Sequence, residues 1–173
     1  MTYRLILSVV IILASLMPSN AQTSREKGFA VLGELVGGTW IYEGIWPNGE
    51  AFKQEIKYRW GLNKQMLKVQ TYGVIDNETK AYGLRNEGIR VWDKVLEKMK
   101  FYEFDVFGGI TEGYCIFEET QFHYEYNYMM VGKLEVFRDT WKIINKDTYQ
   151  FTVSMRVGDE WRVYTTNEYR RQQ

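Results

Sequence analysis

The chain has 173 residues with 22 basic and 22 acidic side chains and a single histidine, so its formal charge at neutral pH is zero. That balance excludes the strongly basic surface with which a nucleic-acid-binding domain neutralises phosphates, and it offers no general attraction to anionic membranes. One cysteine, Cys115, excludes an internal disulfide, and one histidine leaves any metal site to oxygen ligands.

Residues 1–21 read as a secretory signal peptide. Arg4 precedes an apolar run from Leu5 to Met17, and Ser19 and Ala21 are small residues at the two positions a signal peptidase reads, which places cleavage before Gln22. The run is shorter than the ~20 residues a bilayer-crossing helix needs, so no stable membrane insertion is expected. Residues 22–173 are expected to form one secreted or periplasmic domain. A chain of that size buries roughly two-thirds of its unfolded surface and needs no covalent staple. Cys115 reads as a small buried hydrophobe, with a reactive thiol as the alternative.

A short helix is predicted over residues 25–36, where Phe29, Leu32, Leu35 and Val36 form one apolar stripe suited to a lid or plug. Gly37-Gly38 stops it. From there period-two alternation dominates. Residues 39–46 put Trp40, Tyr42 and Trp46 on one face, and Pro47-Asn48-Gly49 supplies a turn. Residues 50–60 set Phe52, Ile56, Tyr58 and Trp60 against Lys53, Glu55, Lys57 and Arg59, an interior face against a wet one. The third strand, 65–72, turns Leu67 and Val69 inward, and the turn after it carries an Asn77-Glu78-Thr79 sequon. Strands at 85–93 and 97–106 follow, and in the second of them Met99 and Phe101 share a face with Tyr102 and Phe104 only if a bulge shifts the register.

Residues 111–118 and 121–130 read as a tight hairpin whose second strand sets Phe122, Tyr124, Tyr126, Tyr128 and Met130 against Gln121, His123, Glu125 and Asn127. Strands at 133–144, 148–157 and 160–171 complete about ten. The ninth gathers Tyr149, Phe151, Val153, Met155 and Val157 on one face, the tenth Trp161, Val163 and Tyr169. Ten short strands joined by tight turns leave unpaired edges unless the first meets the last. The expected fold is therefore all-β, a closed up-and-down antiparallel barrel, with a β-sandwich as the alternative. Closure brings Trp40 against Arg171 by parity, with Arg170 as the fallback, in a guanidinium–indole stack worth ~0.5–2 kcal/mol.

Gly38-Thr39-Trp40 after a short helix resembles the Gly-x-Trp signature of lipocalins and the wider calycin superfamily, and the terminal Tyr169-Arg170-Arg171 resembles the matching arginine on the last strand. With Glu55-Ile56-Lys57-Tyr58-Arg59-Trp60-Gly61-Leu62, the layout looks like an uncharacterised lipocalin-like branch of bacterial secreted proteins, a domain of unknown function. The resemblance implies a barrel that encloses a small apolar ligand. It names no ligand, since fold analogy says little about chemistry.

No catalytic or cofactor motif is present. Heme ligation would rest on His123, which alternation places on an outer face with Gln121, Glu125 and Asn127. A metal would need converging carboxylates; Glu112, Glu118, Glu119 and Glu125 surround one hairpin but read as a solvated face. A nucleophile triad would also have to use His123, and no nucleophile signature surrounds Ser24 or Ser154. Glu103 and Asp105 become candidate acids or bases only if they face inward, where apolar surroundings would raise a carboxyl pKa.

Six Trp, thirteen Tyr and nine Phe stand out, and they suit either a filled core or a pocket with polar handles. The leading expectation is a non-catalytic binding protein for a small hydrophobic or amphipathic molecule. Its lining would be Trp46, Phe52, Gln54, Tyr58, Tyr124, Tyr126 and Phe151, helped by Thr165 and Asn167. An interaction protein with a solid barrel, and an enzyme using an interior carboxylate, are the alternatives.

Overall fold

Period-two alternation along nearly the whole chain produces one sheet that closes on itself. The computed structural model describes residues 23–45 and 49–173, comprising helix α1 (Ser24–Gly33) and ten strands. They are β1 (Thr39–Ile45), β2 (Ala51–Gly61), β3 (Met66–Val74), β4 (Tyr82–Asp93), β5 (Lys98–Asp105), β6 (Ile110–Phe117), β7 (Gln121–Met130), β8 (Lys133–Asn145), β9 (Thr148–Val157) and β10 (Glu160–Gln172). Each pairs antiparallel with its sequence neighbour, and β10 returns to β1. Residues 1–21, read above as a signal peptide, and Trp46 and Pro47 of the first turn lie outside the described residues.

Up-and-down order sorts the connections between two ends. The turns at 62–65, 94–97, 118–120 and 146–147 share the base with α1, and those at 75–81, 106–109, 131–132 and 158–159 form the mouth. Thr23 caps α1 reciprocally: its hydroxyl accepts from the Glu26 amide at 3.2 Å, and the Glu26 carboxylate accepts from the Thr23 amide at 2.9 Å. After Gly33 the chain tightens into i→i−3 bonds through Val36, which is why the helix is shorter than its apolar stripe. Leu32 and Leu35 are fully buried and Phe29 packs on Trp60 at 5.8 Å, so α1 plugs the base.

Closure is built on Trp40. It sits opposite Arg171 in the β1–β10 ladder, with the guanidinium 4.4 Å from the indole centroid. The indole nitrogen donates to Leu35 O at 2.7 Å, while Arg171 donates to Val36 O at 2.9 Å and to Glu34 O. One side chain thereby ties the last strand to the helix exit. Gly38 makes the approach feasible: its φ is +66°, and a Cβ there would stand 2.6 Å from Gln172 O.

Bulges correct two readings of facing. β5 runs straight, so Met99, Phe101 and Glu103 face inward while Tyr102 and Phe104 face out; the irregularity lies instead in β4, where Arg85 is an extra residue opposite Thr71 and Tyr72. In β10 the ladder skips Tyr164, which reverses parity. Trp161 and Val163 consequently share the outer face with Arg156 and Ser154 rather than the inner face with Tyr169, and Trp161 takes the Arg138 guanidinium at 4.1 Å.

Two seams are short. β1 and β10 share three ladder pairs, Thr39 to Ile41 against Gln172 to Arg170. The β6–β7 turn is tight, but its ladder also stops after three pairs, at Cys115 opposite Tyr124. Both sets of pairs lie at the base.

Candidate functional site

The interior divides into two halves. Near the base it is filled with rings: Tyr149 stacks on Tyr169 at 4.9 Å, Trp40 meets Tyr149 at 4.7 Å, and Phe122 lies parallel to Trp141 at 4.8 Å. Buried hydroxyls find partners, with Tyr58 3.4 Å from the Tyr149 oxygen and accepting from the Trp141 indole at 3.3 Å. Burial pushes the Tyr58 phenol up to about 12.

At the top of this floor sits a charged cluster contributed by the inward rows of β4, β5, β7 and β8. Arg90 of β4 is 2% exposed, and its guanidinium contacts the Glu103 carboxylate of β5 at 2.5 Å. It lies 5.3 Å from the Phe101 ring and 5.2 Å from the Tyr124 ring, and it donates to the Tyr124 oxygen at 3.3 Å. Burial opposes the Arg90 charge, but Glu103 more than offsets it, so the guanidinium stays protonated. Next to this pair, Asp139 of β8 is 8% exposed and accepts from the Tyr126 hydroxyl at 3.2 Å. No cation of the described residues pairs with it. Burial first, and the Glu103 charge second, push its carboxyl up to about 8.

Toward the mouth, residues on inward rows become half-exposed: Phe52, Gln54, Tyr126, Phe151, Val153, Thr165 and Asn167. The residues expected to line a pocket therefore separate. Tyr58 and Tyr124 belong to the packed floor, both under 4% exposed. Phe52, Gln54, Tyr126 and Phe151 face the upper interior, where Gln54 accepts from the Tyr169 hydroxyl and Phe52 meets Tyr42 at 5.4 Å. Thr165 and Asn167 bond to each other at 3.2 Å. Trp46 lies outside the described residues. Trp40 and Arg171 stand at the base, away from this space.

Of the two acidic candidates on β5, Glu103 faces inward and is held by Arg90. Asp105 is instead a turn cap, accepting from the Phe107 amide at 2.8 Å and the Gly109 amide at 2.9 Å. Arg90 and Asp139 were missed, although Gly88-Arg90-Trp92 and Phe137-Asp139-Trp141 each show a charge inside an inward period-two row.

His123 lies on the outer face beside Ile116 and Thr140, 3.9 Å from Glu118. Burial first and Arg138 second lower its pKa. The hairpin carboxylates do not converge: Glu112 pairs with Lys100 at 3.1 Å and Glu125 with Arg138 at 2.5 Å. Among the described residues no group of three His, Cys, Asp or Glu gathers to hold a metal. Cys115 is buried and free, and burial pushes its thiol up to about 12. A separate groove of about 400 Å³ runs along the β1–β10 seam between Ile41, Glu43, Glu168 and Arg170, and contains none of the expected lining.

The chain is a closed ten-stranded β-barrel. A scan of protein-family models finds no match, and no curated protein matches. Among solved structures, a redesigned β-barrel is similar to it at 12% identity and a TM-score of 0.41, covering 83% of this chain and 96% of that one. No helix of the described residues is long and apolar enough to cross a membrane.

Proposed function

We propose that the barrel holds a small, partly apolar molecule in the upper half of its interior, without covalent chemistry. The observation that carries this is the change in packing along the axis. Below Tyr124 the rings meet one another and exclude water. Above it, inward side chains from β2, β7, β9 and β10 are half-exposed around a buried acid and a guanidinium–carboxylate pair. Apolar walls with a few converging polar groups are the composition of small-molecule sites.

In this reading the protein is a lipocalin-like member of the calycins, exported after removal of residues 1–21. The Trp40–Arg171 stack at the closure supports the resemblance. Native mass spectrometry of the purified chain tests the binding claim, with a co-purifying molecule expected. Phe151→Ala and Tyr126→Ala are expected to weaken its retention at least tenfold, about 1.4 kcal/mol. Retention unchanged in both variants would refute the assigned site. Export is tested by the mass of the protein recovered outside the cytoplasm, which should begin at Gln22.

A second reading has its own support. The mouth exposes Phe104, Val106, Phe107 and Ile110 around one turn, and Tyr128, Met129, Val131 and Leu134 on the β7–β8 hairpin. Apolar clusters of this kind mark partner-docking surfaces. An interaction protein that engages a partner through this rim would retain its partner in Phe151→Ala and lose it in Val131→Asp.

A further inference from the structure

The chemistry of the acid at the pocket floor says which ligands fit. The interior cluster has one guanidinium and two carboxyl groups. Arg90 is spent on Glu103, between the rings of Phe101 and Tyr124. Asp139 receives one hydroxyl, that of Tyr126, and none of the described cations reaches it. Arg85, the other guanidinium on the inner side of β4, lies over Phe107 at 5.4 Å, beside the turn 106–109 at the mouth. A buried carboxyl left without a counter-charge is an electrostatic vacancy of negative sign, and a molecule arriving from the mouth can fill it. The rings beside it add to this: Tyr126 stacks on Phe137 at 6.0 Å and adjoins Tyr124 at 5.9 Å, offering π-faces that attract a cation. A ligand carboxylate would meet two acids and an arginine already engaged. An alcohol would gain a hydrogen bond to the protonated carboxyl but no ion pair.

We propose that the ligand of this pocket is an amphipathic amine, whose ammonium pairs with the Asp139 carboxylate beside the Tyr126 hydroxyl while its apolar part lies along Phe151 and Phe52. This rests on the pocket reading above and sharpens it. The ammonium enters already protonated from water, and Asp139 gives its proton to solvent as the pair forms. The charged and titratable groups around Asp139 are Glu103 on β5, Arg90 on β4, Tyr124 and Tyr126 on β7, and Tyr169 on β10. Glu103 resists ionisation of Asp139 and Arg90 assists it. The phenols hold their protons across the neutral range, because burial raises each of them. Asp139 is therefore the group whose proton is exchanged.

The test is calorimetric titration of the full chain with octylamine, 1-octanol and octanoate, and with the compact pair 2-phenylethylamine and 2-phenylethanol. Amines are expected to bind at least about tenfold more tightly than the matching alcohols, with octanoate weakest. Amine affinity should rise roughly tenfold per pH unit from pH 6 and level off near pH 8, with one proton released per ligand, read from buffers of different ionisation enthalpy. Asp139→Asn should bring octylamine down to the level of octanol and abolish the proton release. If that variant does not fold, the ranking of probes and the proton count on the unsubstituted chain still decide. Alcohols binding as tightly as amines, or no proton release, would overturn the amine assignment while leaving a pocket. Failure of all five probes to bind would overturn the pocket itself and the amine with it.

Discussion

Removing the Arg171 guanidinium should unseal the barrel at its base. The side chain is 16% exposed, so its stack on Trp40 at 4.4 Å is largely desolvated and contributes about 1–2 kcal/mol. Its two donations, to Val36 O and Glu34 O, hold the exit of α1 against β10, and at about 1 kcal/mol each they bring the total to roughly 3–4 kcal/mol. One atom gives nothing back: Nε is buried without a hydrogen-bond acceptor, 3.9 Å from the Asp147 carboxylate. For a chain of this length, Arg171→Ala should lower the melting temperature by roughly 6–15 °C. Arg171→Lys keeps a charge over the indole but loses the planar fork, and should cost about half as much. Arg170→Ala is the control, because Arg170 is exposed and, among the described residues, its ion pair is with Glu168, at 3.0 Å; its loss should cost less than about 0.5 kcal/mol. Urea unfolding followed by tryptophan fluorescence measures all three. Equal midpoints for Arg171→Ala and Arg170→Ala would refute the assignment of closure to this stack.

Asp139 makes stability depend on pH. Its folded carboxyl holds a proton up to about 8, whereas an unfolded aspartate releases its own near ~4. Between those values the folded state binds more protons, so stability should fall as pH rises, by up to about 1.4 kcal/mol per unit, and urea midpoints from pH 5 to 9 should decline in the unsubstituted chain but stay level in Asp139→Asn. Cys115 should resist a thiol reagent at pH 8 while the protein is folded and react fully once urea unfolds it, because burial holds its thiol near about 12. Gly38→Ala should cost about 2 kcal/mol or more by calorimetry, since it adds a Cβ at φ +66° 2.6 Å from Gln172 O.

Closure was legible in the sequence because it rests on parity alone. Counting alternate residues back from the end of the tenth strand reaches Arg171 opposite Trp40, and no bulge intervenes between Tyr169 and Arg171. The same counting failed at Trp161 and Val163, where Tyr164 is looped out. A single extra residue leaves no compositional trace, yet it turns every side chain beyond it to the other face. The aromatic lining was read as one pocket because period two reports which face a residue occupies, not its height along the barrel axis. Tyr58 and Tyr124 share a face with Tyr126 and lie lower, inside the packed floor. Arg90 and Asp139 escaped for another reason: charge inside a hydrophobic row looks like an interruption until its partners, 13 residues away for Arg90 with Glu103 and again for Tyr126 with Asp139, are known.

The two short seams give the wall a mechanical character. Three rungs beside the plug join β10 to β1 and three join β6 to β7, so the cylinder is in effect two curved shells, one of six strands and one of four, clasped at the same end. Parting the shells at the mouth would break no ladder bond on either side; among the described residues, what crosses the seams above the clasp is side chain alone, Tyr169 to Gln54 at one and Arg90 to Tyr124 at the other.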